Sequence, residues 1–237
     1  MKRDTILFDL DGTLLPIDQE LFMQEYLQAV AEHFHWLADR KTFLRHFWQA
    51  TEAMIANDGR LTNAEAFWHT FTRLTEKGQE ELLPHFEKYY LEVFPQLKKC
   101  CQPTPLARQV VEKALAKGYQ VVLATNPLFP VEATRERMHW AGIADLPWLH
   151  VTYYDSYRSS KPAVRYFLEV CENINRPPEA CFMFGNDAQE DLVATTLGIT
   201  TGLVTDCLID RGEPTYPAHW RGTLAELLDW LDQLPAL

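Results

Sequence analysis

The chain has 237 residues, 47% of them apolar, and a formal net charge of -11. This length accommodates one large domain or two modest ones with a sizeable hydrophobic core. The acidic balance argues against a nucleic-acid partner, because the chain offers no basic face to a phosphate backbone. No apolar window reaches the roughly 18 residues of a membrane span, and the N-terminal apolar run is shorter than a signal-peptide core of about 7–15 residues. We therefore expect a cytoplasmic protein with no membrane partner.

The first predicted element is a short buried strand that ends on two acidic residues. The apolar run 6–8 is followed by Asp9 and Asp11, and Gly12 and Thr13 then begin a turn. Two carboxylates this close repel each other and raise each other's pKa unless a cation lies between them. The stretch therefore predicts a metal ion, a nucleophile, or both at the end of the first strand.

Between residues 18 and 99 the apolar residues recur at helical spacing, and no strand is predicted. The pattern indicates four amphipathic helices that form a small bundle. Thr62 and Glu65 have the spacing of a capping box at the start of the third helix. The four apolar stripes are Met23, Leu27, Val30 and Phe34; Leu44, Phe47, Thr51 and Ile55; Ala64, Phe67, Phe71 and Leu74; and Leu83, Phe86, Tyr90 and Val93.

Strands and helices alternate after residues 98–105, where the helical pattern breaks. This alternation predicts an α/β fold in which a doubly wound, mainly parallel sheet has helices on both faces. The first strand belongs to the same sheet, so the predicted domains are an α/β core of residues 1–17 and 103–237 and an inserted all-α cap of residues 18–102. Further predicted strands occupy 119–126, 148–154, 180–186 and 200–205, and predicted helices occupy 105–117, 131–142, 162–173, a short segment ending at Gly198, and a C-terminal segment from Thr223.

Chemically active side chains are predicted at one edge of this sheet, since ligands of open α/β sheets bind at the carboxyl ends of the strands. Asp9 and Asp11 end the first strand, and Thr125 ends the second, followed by Asn126. Lys161 precedes a helix after the third strand. The edge thus combines carboxylates, a hydroxyl group and one lysine. The residues that follow the fourth strand are Asn186, Asp187, Glu190 and Asp191.

The order and spacing of these motifs resemble the haloacid dehalogenase superfamily over essentially the whole chain. The matching motifs are residues 9–13 (DLDGT), Thr125, Lys161 and residues 185–191. The resemblance implies a Rossmann-like core with the first strand between the second and the fourth, and a helical cap between the first two motifs. In this family the first aspartate is a nucleophile and the second a general acid/base. Mg²⁺, a hard cation that favours oxygen ligands, lies between them and the acids of the fourth motif.

The fourth motif departs from the family pattern. Many members have Gly-Asp where this chain has Gly185-Asn186, and the aspartate comes one residue later, at Asp187. An asparagine lacks the negative charge but ligates Mg²⁺ through its carbonyl oxygen. We expect Asp9, Asp11 and Asp187 as metal ligands, with Asn186 as the alternative to Asp187. The residues expected to contact the substrate phosphate or to orient the ligands are Asn126, Asn186 and Asp191.

The resemblance implies a Mg²⁺-dependent phosphatase that acts on a small phosphorylated metabolite. Asp9 attacks phosphorus and becomes an aspartyl-phosphate. Asp11 protonates the leaving oxygen and then activates the hydrolytic water. Thr125 donates a hydrogen bond to a phosphoryl oxygen, and Lys161 pairs with Asp9 and the phosphate. The pattern leaves open which phosphorylated substrate is used and which oligomeric state the chain adopts.

Four other functions remain open at this point. A sugar phosphomutase keeps both acids and a similar helical cap. A dehalogenase of the same superfamily also uses an aspartate nucleophile, but that branch lacks the second acid, which argues against it because Asp11 is present. A phosphonate hydrolase needs a cap lysine that forms an imine, and no lysine of the inserted segment lies in a recognisable sequence motif. A binding module on this scaffold is expected to lose a catalytic group, and none is missing.

Two further sets of residues receive ordinary structural interpretations. We expect the arginines Arg135, Arg137 and Arg158 to be solvated rather than to bind substrate. Six aromatic residues are expected mostly to form the core of the helical bundle, with one or two facing the cleft: Phe43, Phe47, Trp48, Phe67, Trp68 and Phe71.

Overall fold

The computed structural model describes residues 2–237 and contains a six-stranded sheet. In chain order the strands are β1 (Thr5–Phe8), β2 (Gln120–Leu123), β3 (His150–Val151), β4 (Cys181–Gly185), β5 (Thr200–Val204) and β6 (Trp220–Gly222). All neighbouring strands are parallel, and their order is β3-β2-β1-β4-β5-β6. The predicted α/β fold with a doubly wound parallel sheet is therefore confirmed, as is the position of β1 between β2 and β4.

Helices account for most of the remaining regular structure. The α-helices are α1 (Gln19–His33), α2 (Arg40–Ile55), α3 (Asn63–Thr75), α4 (Gln79–Lys88), α5 (Pro105–Ala116), α6 (Val131–Trp140), α7 (Val164–Asn173) and α8 (Leu224–Gln233). A π-helical turn (Tyr89–Val93) and a 3₁₀-helix (Phe94–Cys100) continue α4, and two further 3₁₀-helices are Pro178–Ala180 and Leu192–Leu197. None of the helices in residues 2–237 combines the length and the apolar character needed to cross a membrane.

The first strand is buried at every position because helices cover the sheet on both faces, and after Thr5 it is entirely apolar. Ile6 and Phe8 pack on the face covered by α5, α6 and α8, whereas Leu7 packs on the opposite face, covered by α7. All three side chains are fully buried. Since every position of β1 is buried, the first polar side chain that the strand can present is Asp9, directly after its last residue.

Local boundaries differ from the predicted ones where the signal is short. The strand predicted over 148–154 is reduced to β3, which lies at the edge of the sheet and pairs only with β2. The helix predicted from residue 162 begins at Val164, since Pro162 lies in the preceding turn. Strand β6 was not predicted, because its three residues carry no alternating or apolar pattern. The capping box predicted at Thr62 is present, and the C-terminal helix predicted from Thr223 also begins with a capping box, formed by Thr223 and Glu226.

The segment between β1 and α5 contains only helices in its regular structure, as predicted, and it begins and ends at one place. The backbone N–H of Asp18 donates to the carbonyl of Cys100 at 3.3 Å, and that of Gln102 donates to the carbonyl of Pro16 at 2.8 Å. The side chain of Asp18 also caps the start of α1. This pairing coincides with the predicted limits at residues 18 and 102. Their assignment as limits of a separate cap domain stays a prediction.

The buried faces of these helices are partly displaced from the predicted stripes. In α1 the buried residues include Phe22, Tyr26 and Val30, whereas Met23 is 40% exposed and Leu27 only half-buried. Apolar residues therefore occupy two adjoining faces of α1, and only one of these faces is in the core. The same displacement places Phe43, Leu82 and Tyr89 in the core, while Ile55 is exposed and Leu44, Thr51, Leu83 and Val93 are half-buried.

A cluster of aromatic rings joins the inserted segment to the helices of the sheet domain. Phe94 is fully buried at its centre. The rings of Phe22, Tyr26 and Tyr90 contact it from the inserted segment, and those of Phe129 and Trp140 from the region around α6; centroid separations range from 5.4 to 6.2 Å. The two parts of the chain thus share one continuous hydrophobic core.

We expect Phe94→Ala to lower the free energy of unfolding by about 3–5 kcal/mol, because truncation of a buried phenylalanine loses apolar burial and leaves a cavity. The matched control is Leu91→Ala, three residues earlier in the same segment, where the side chain is 67% exposed and the expected change is within about 0.5 kcal/mol. Urea unfolding measures both values. Equal losses in the two variants would contradict a shared core centred on Phe94.

Candidate active site

Asp9 and Lys161 form a buried ion pair at the end of β1. The backbone N–H of Asp9 donates to the carbonyl of Phe184 at 2.9 Å, so β4 fixes the position of the residue. Its Oδ1 accepts a hydrogen bond from Lys161 Nζ at 2.8 Å, and its Oδ2 lies 2.9 Å from the hydroxyl of Thr13. Lys161 Nζ also donates to Asp191 Oδ1 at 2.6 Å. The three predicted residues Asp9, Lys161 and Asp191 therefore lie in direct contact.

The ammonium group of Lys161 is held in its charged form. Burial alone would lower the pKa of Lys161, but the neighbouring carboxylates of Asp191 and Asp9 raise it well above its ordinary value. Asp191 is itself fixed, because its Oδ2 accepts the backbone N–H of Asp187 at 3.0 Å. Its carboxylate packs against Gly185, where an added Cβ would lie 2.0 Å from Oδ2. The fourth motif thus needs its glycine so that Asp191 can reach Lys161.

Asp11 is paired with Arg137, a residue that we expected to be solvated. That expectation was wrong, since the side chain of Arg137 is only 1% exposed and its Nη1 donates to Asp11 Oδ2. The guanidinium also donates to the carbonyl of Ala133 at 3.2 Å and lies over the ring of Phe129, 4.4 Å from the centroid. Burial raises the pKa of Asp11, and the charge of Arg137 only partly opposes this shift.

The signal that could have identified Arg137 is its place on α6. It lies four residues after Ala133 and three before Trp140, and both of these residues are buried. Residues at these spacings share one face of a helix. The pattern therefore assigns Arg137 to the buried face, whereas Arg135 is exposed.

Asn186 and Asp187 have different environments, and the difference bears on which of them can bind a metal. The amide nitrogen of Asn186 donates to the carbonyl of Cys207 at 2.7 Å, and its Oδ1 lies 3.1 Å from the hydroxyl of Thr13. Asn186 Oδ1 and Asp9 Oδ2 therefore both approach the hydroxyl of Thr13. Asp187 instead accepts hydrogen bonds from Arg211 Nη1 at 2.7 and 2.8 Å, and from the backbone N–H groups of residues 189 and 190.

The expected metal ligands stay a prediction, but this geometry leaves the side chain of Asn186 more available to a ligand than that of Asp187. The reason is that the carboxylate of Asp187 already has a cation and two amide donors, whereas Asn186 Oδ1 is shared only with a hydroxyl group. Thr13 and Arg211 were not singled out from the sequence. Their roles depend on contacts with residues that are distant in the chain.

Thr125 and Asn126 lie at the end of β2, as predicted. The carbonyl of Thr125 accepts hydrogen bonds from the hydroxyl groups of Thr152 at 2.6 Å and Tyr166 at 2.9 Å. The side chain of Asn126 accepts the backbone N–H of Lys161 at 3.2 Å and donates to Glu190 at 3.1 Å. Asn126 therefore links the second, third and fourth motifs.

All the site residues predicted from the sequence line one cavity of about 200 Å³, together with Arg137, Glu190 and Arg211. Its charged residues are the carboxylates Asp9, Asp11, Asp187, Glu190 and Asp191 and the cations Arg137, Lys161 and Arg211. If all are ionised, the cavity has an excess of two negative charges. Burial raises the pKa of Glu190, and the charge of Asp187 adds to this effect, as expected where negative charge is not fully compensated.

A divalent cation fits this cavity in charge and in donor type. Asp11 Oδ1 is buried and has no hydrogen-bond partner among residues 2–237, which leaves an oxygen free for a ligand. Within the described residues, however, no group of three or more His, Cys, Asp and Glu side chains is arranged to hold a metal by itself. A hard cation such as Mg²⁺ would then need the amide oxygen of Asn186 and oxygens of the substrate or water in addition to carboxylates.

The family model for haloacid dehalogenase-like hydrolases matches residues 3–194. The chain belongs to the haloacid dehalogenase-like hydrolases. This finding confirms the resemblance and establishes that the protein is a hydrolase of this superfamily. Among curated proteins, no sequence gives a significant match.

Solved structures of other proteins share the fold over the whole chain. A haloacid dehalogenase phosphatase of Thermococcus onnurineus has 24% identity and a TM-score of 0.62, with 100% of each chain covered. YfnB of Bacillus subtilis, determined with bound magnesium, has 18% identity and a TM-score of 0.57, covering 98% of this chain and 100% of its own. A Thermotoga maritima protein assigned as a β-phosphoglucomutase has 19% identity and a TM-score of 0.58, with coverage of 98% and 99%.

We expect Arg137→Met to reduce kcat/KM at least tenfold, because it removes the cation that holds the carboxylate of Asp11. Removal of one partner of a buried pair also costs about 3–5 kcal/mol of stability. We expect the lower part of this range, since the Asp11 side chain remains 24% exposed. Thermal unfolding and steady-state kinetics measure the two effects.

The matched control is Arg135→Met, which removes a charge from the exposed face of the same helix. It should leave both quantities unchanged within about 0.5 kcal/mol. Arg137→Lys should restore part of the activity, since it returns a cation near Asp11. Full activity in Arg137→Met at a temperature where the variant is folded would show that the pair has no part in the reaction.

Proposed function

We propose that this hydrolase is a Mg²⁺-dependent phosphatase that hydrolyses a small phosphomonoester through an aspartyl-phosphate intermediate. The observation that carries the proposal is the placement of Asp9 and Asp11 in one cavity, each with its own buried cationic partner. Two acids with separate environments suit the two roles of nucleophile and general acid/base. A dehalogenase would need only the first of them.

Asp9 is the nucleophile in this proposal. Lys161 keeps one of its oxygens in place at 2.8 Å, and the hydroxyl of Thr13 does the same for the other at 2.9 Å. A carboxylate held in this way attacks phosphorus with little loss of orientational freedom. The permanent charge of Lys161 also stabilises the negative charge of the transferring phosphoryl group. Thr125 and Asn126 line the same cavity, within which the phosphoryl oxygens would bind.

Asp11 is the proton donor and acceptor. Because burial raises the pKa of Asp11, the carboxyl group keeps a proton to a higher pH than an exposed aspartate does. That proton goes to the leaving oxygen when the ester bond breaks. The resulting carboxylate then accepts a proton from the water that hydrolyses the aspartyl-phosphate. Arg137 orients the carboxyl group in both steps and stabilises the charged form between them.

The residues that would hold Mg²⁺ are Asp9 and Asn186 through their side chains and Asp11 through its main-chain carbonyl oxygen, so that the carboxyl group of Asp11 stays free to carry the proton; substrate and water would supply the remaining ligands. When bound, Mg²⁺ offsets negative charge on the phosphoryl group and aligns its oxygens. The bound magnesium of YfnB and the phosphatase assignment of the Thermococcus protein support this proposal. Asp187 is proposed instead to hold Arg211 at the rim of the cavity. Asp191 is proposed to keep Lys161 in position.

The first prediction for this mechanism separates the two acids. Asp9→Asn removes the nucleophile, so turnover of every phosphomonoester should vanish and no phosphorylated enzyme should be detected. Asp11→Asn keeps the nucleophile but removes the proton donor, a loss of roughly 10²–10⁴-fold for general acid catalysis. The defect should be larger for an alkyl phosphate than for an aryl phosphate, whose leaving group needs little protonation.

Mass spectrometry of Asp11→Asn with an aryl phosphate should detect the aspartyl-phosphate, since its hydrolysis also needs the base. The same accumulation of aspartyl-phosphate should appear as a burst of released phenol in pre-steady-state kinetics. An equal loss for alkyl and aryl esters, with no phosphorylated enzyme, would mean that Asp11 has no acid/base role.

The second prediction concerns the metal and its ligands. Chelation should abolish turnover and Mg²⁺ should restore it, whereas Ca²⁺ should inhibit because its larger and looser shell misplaces the phosphate. Asn186→Ala should raise the Mg²⁺ concentration for half-maximal activity at least tenfold, and Asp187→Asn should raise it much less. Calorimetric titration with Mg²⁺ provides a readout that does not depend on turnover. The opposite order of the two variants would restore Asp187 as the ligand.

A further inference from the structure

A second cavity, of about 340 Å³, adjoins the cavity that contains Asp9 and Asp11. Met23 and Phe129 line both cavities, so they form the boundary between the two. A volume of this size is in the range of about 300–1,000 Å³ that is typical of small-molecule sites. We refer to it as the apolar cavity.

Aromatic rings form a large part of the wall of the apolar cavity. They come from each of the four α-helices of the inserted segment and from the loop before α6, and include Tyr26, Phe47, Phe67, Trp68, Phe86 and Phe129. Several of these rings contact one another with centroids 5.3 to 6.2 Å apart. Rigid packed rings favour a flat apolar ligand, because little side-chain freedom is lost when it binds.

Four apolar-stripe residues that are not fully buried in the core line this cavity. Met23, Leu27, Thr51 and Leu83 belong to the predicted core stripes but are not fully buried in the structure. All four line the apolar cavity instead. The inserted segment therefore has more apolar surface than its own packing uses, and the excess lies beside the catalytic residues.

The charges around the apolar cavity exclude an anionic ligand. Within residues 2–237 no Lys, Arg or His side chain lines it, whereas Glu87, Glu132 and Asp155 do. None of these three carboxylates forms an ion pair within the described residues. A second phosphate or a carboxylate on the ligand would meet negative charge with no cation to offset it.

Several polar groups in the wall already have hydrogen-bond partners within the protein. The hydroxyl groups of Tyr26 and Tyr90 are hydrogen-bonded at 2.9 Å. The hydroxyl of Thr51 donates to the carbonyl of Phe47 at 3.0 Å, and the indole N–H of Trp48 donates to Glu52 at 2.9 Å. A sugar would therefore find few free partners for its hydroxyl groups, and burying them unpaired is costly.

We propose that the alcohol portion of the phosphomonoester is a bulky apolar group of aromatic size, without negative charge, and that it binds in the apolar cavity. This inference rests on the proposed phosphatase function, which places the phosphoryl group beside Asp9. The ester oxygen then lies at the boundary formed by Met23 and Phe129, near Asp11. Sugar phosphates and phosphorylated carboxylic acids are excluded as preferred substrates by the same wall, and so is a mutase reaction on a sugar bisphosphate.

The test compares esters whose leaving groups differ in size but not in chemical reactivity. 2-Phenylethyl and 2-(2-naphthyl)ethyl phosphate are compared with ethyl phosphate, all three being esters of primary alcohols. Phosphoglycolate and glucose 1-phosphate are added as anionic and polar competitors. We expect kcat/KM for the two arylethyl esters to exceed that of each of the other three at least tenfold. A preference for phosphoglycolate or glucose 1-phosphate would overturn the inference.

A matched pair of variants locates the effect in the apolar cavity. Thr51→Phe fills the cavity and should lower the ratio of kcat/KM between naphthylethyl and ethyl phosphate at least tenfold. The control is Thr72→Phe, because Thr72 is also half-buried on a helix of the inserted segment and makes the same hydrogen bond to a carbonyl one turn earlier, but lies outside the apolar cavity. That variant should leave the ratio unchanged. An unchanged ratio in Thr51→Phe would contradict the proposed site.

Binding of the product alcohol separates a failure of this inference from a failure of the phosphatase proposal. Calorimetric titration with 2-(2-naphthyl)ethanol should detect binding to the wild-type chain and to Thr72→Phe, with at least tenfold weaker binding to Thr51→Phe. If the enzyme binds this alcohol but hydrolyses no phosphomonoester, including an aryl phosphate, the apolar site is supported and the proposed phosphatase function is wrong. Hydrolysis of phosphomonoesters without binding of the alcohol would retain the function and overturn the inference.

Discussion

The ammonium group of Lys161 lies buried 2.8 Å from Asp9 and 2.6 Å from Asp191, and the rest of the site depends on this contact. An unpaired charge in this position would cost several kcal/mol, so the lysine is stable there only with both carboxylates in place. Each partner comes from a different part of the chain: the end of β1, the turn before α7, and the segment after β4. The parallel sheet brings these three ends together, and Gly185 provides the room for Asp191. The site therefore forms only where the folded sheet brings these three chain segments together.

This convergence was predictable because each partner follows an element that can be recognised locally. Apolar runs predicted the central strands, their alternation with helices predicted a parallel sheet, and a parallel sheet brings the residues after its strands to one edge. Arg137 and Arg211 were not predicted in the site, because their partners, Asp11 and Asp187, lie 126 and 24 residues away and no local pattern connects them. The choice between Asn186 and Asp187 was likewise beyond the sequence. It depends on which of the two side chains forms hydrogen bonds with Arg211.

The helical segment shows a different limit of sequence interpretation. Helical periodicity identifies an apolar face but does not say whether that face meets another helix or an open cavity. In α1 the predicted stripe included Met23 and Leu27, whereas the core contains Phe22 and Tyr26, one position away. Helix α1 thus buries one of its two adjoining apolar faces in the core, and the other lines the apolar cavity. The error in the predicted core is therefore informative, since four of the misassigned residues, Met23, Leu27, Thr51 and Leu83, line the apolar cavity.

Phe129 and Arg137 connect the two cavities physically. The guanidinium of Arg137 pairs with Asp11 on one side and lies 4.4 Å from the ring centroid of Phe129, whose ring also lines the apolar cavity. In the proposed reaction, the alcohol portion would pack against this ring while its ester oxygen receives the proton of Asp11. A leaving group that fills the apolar cavity would then contact Phe129, against which the guanidinium of Arg137 packs. In this arrangement Phe129 would contact both the leaving group and the guanidinium that orients Asp11. Binding in the apolar cavity would therefore contribute to the orientation of the acid as well as to affinity.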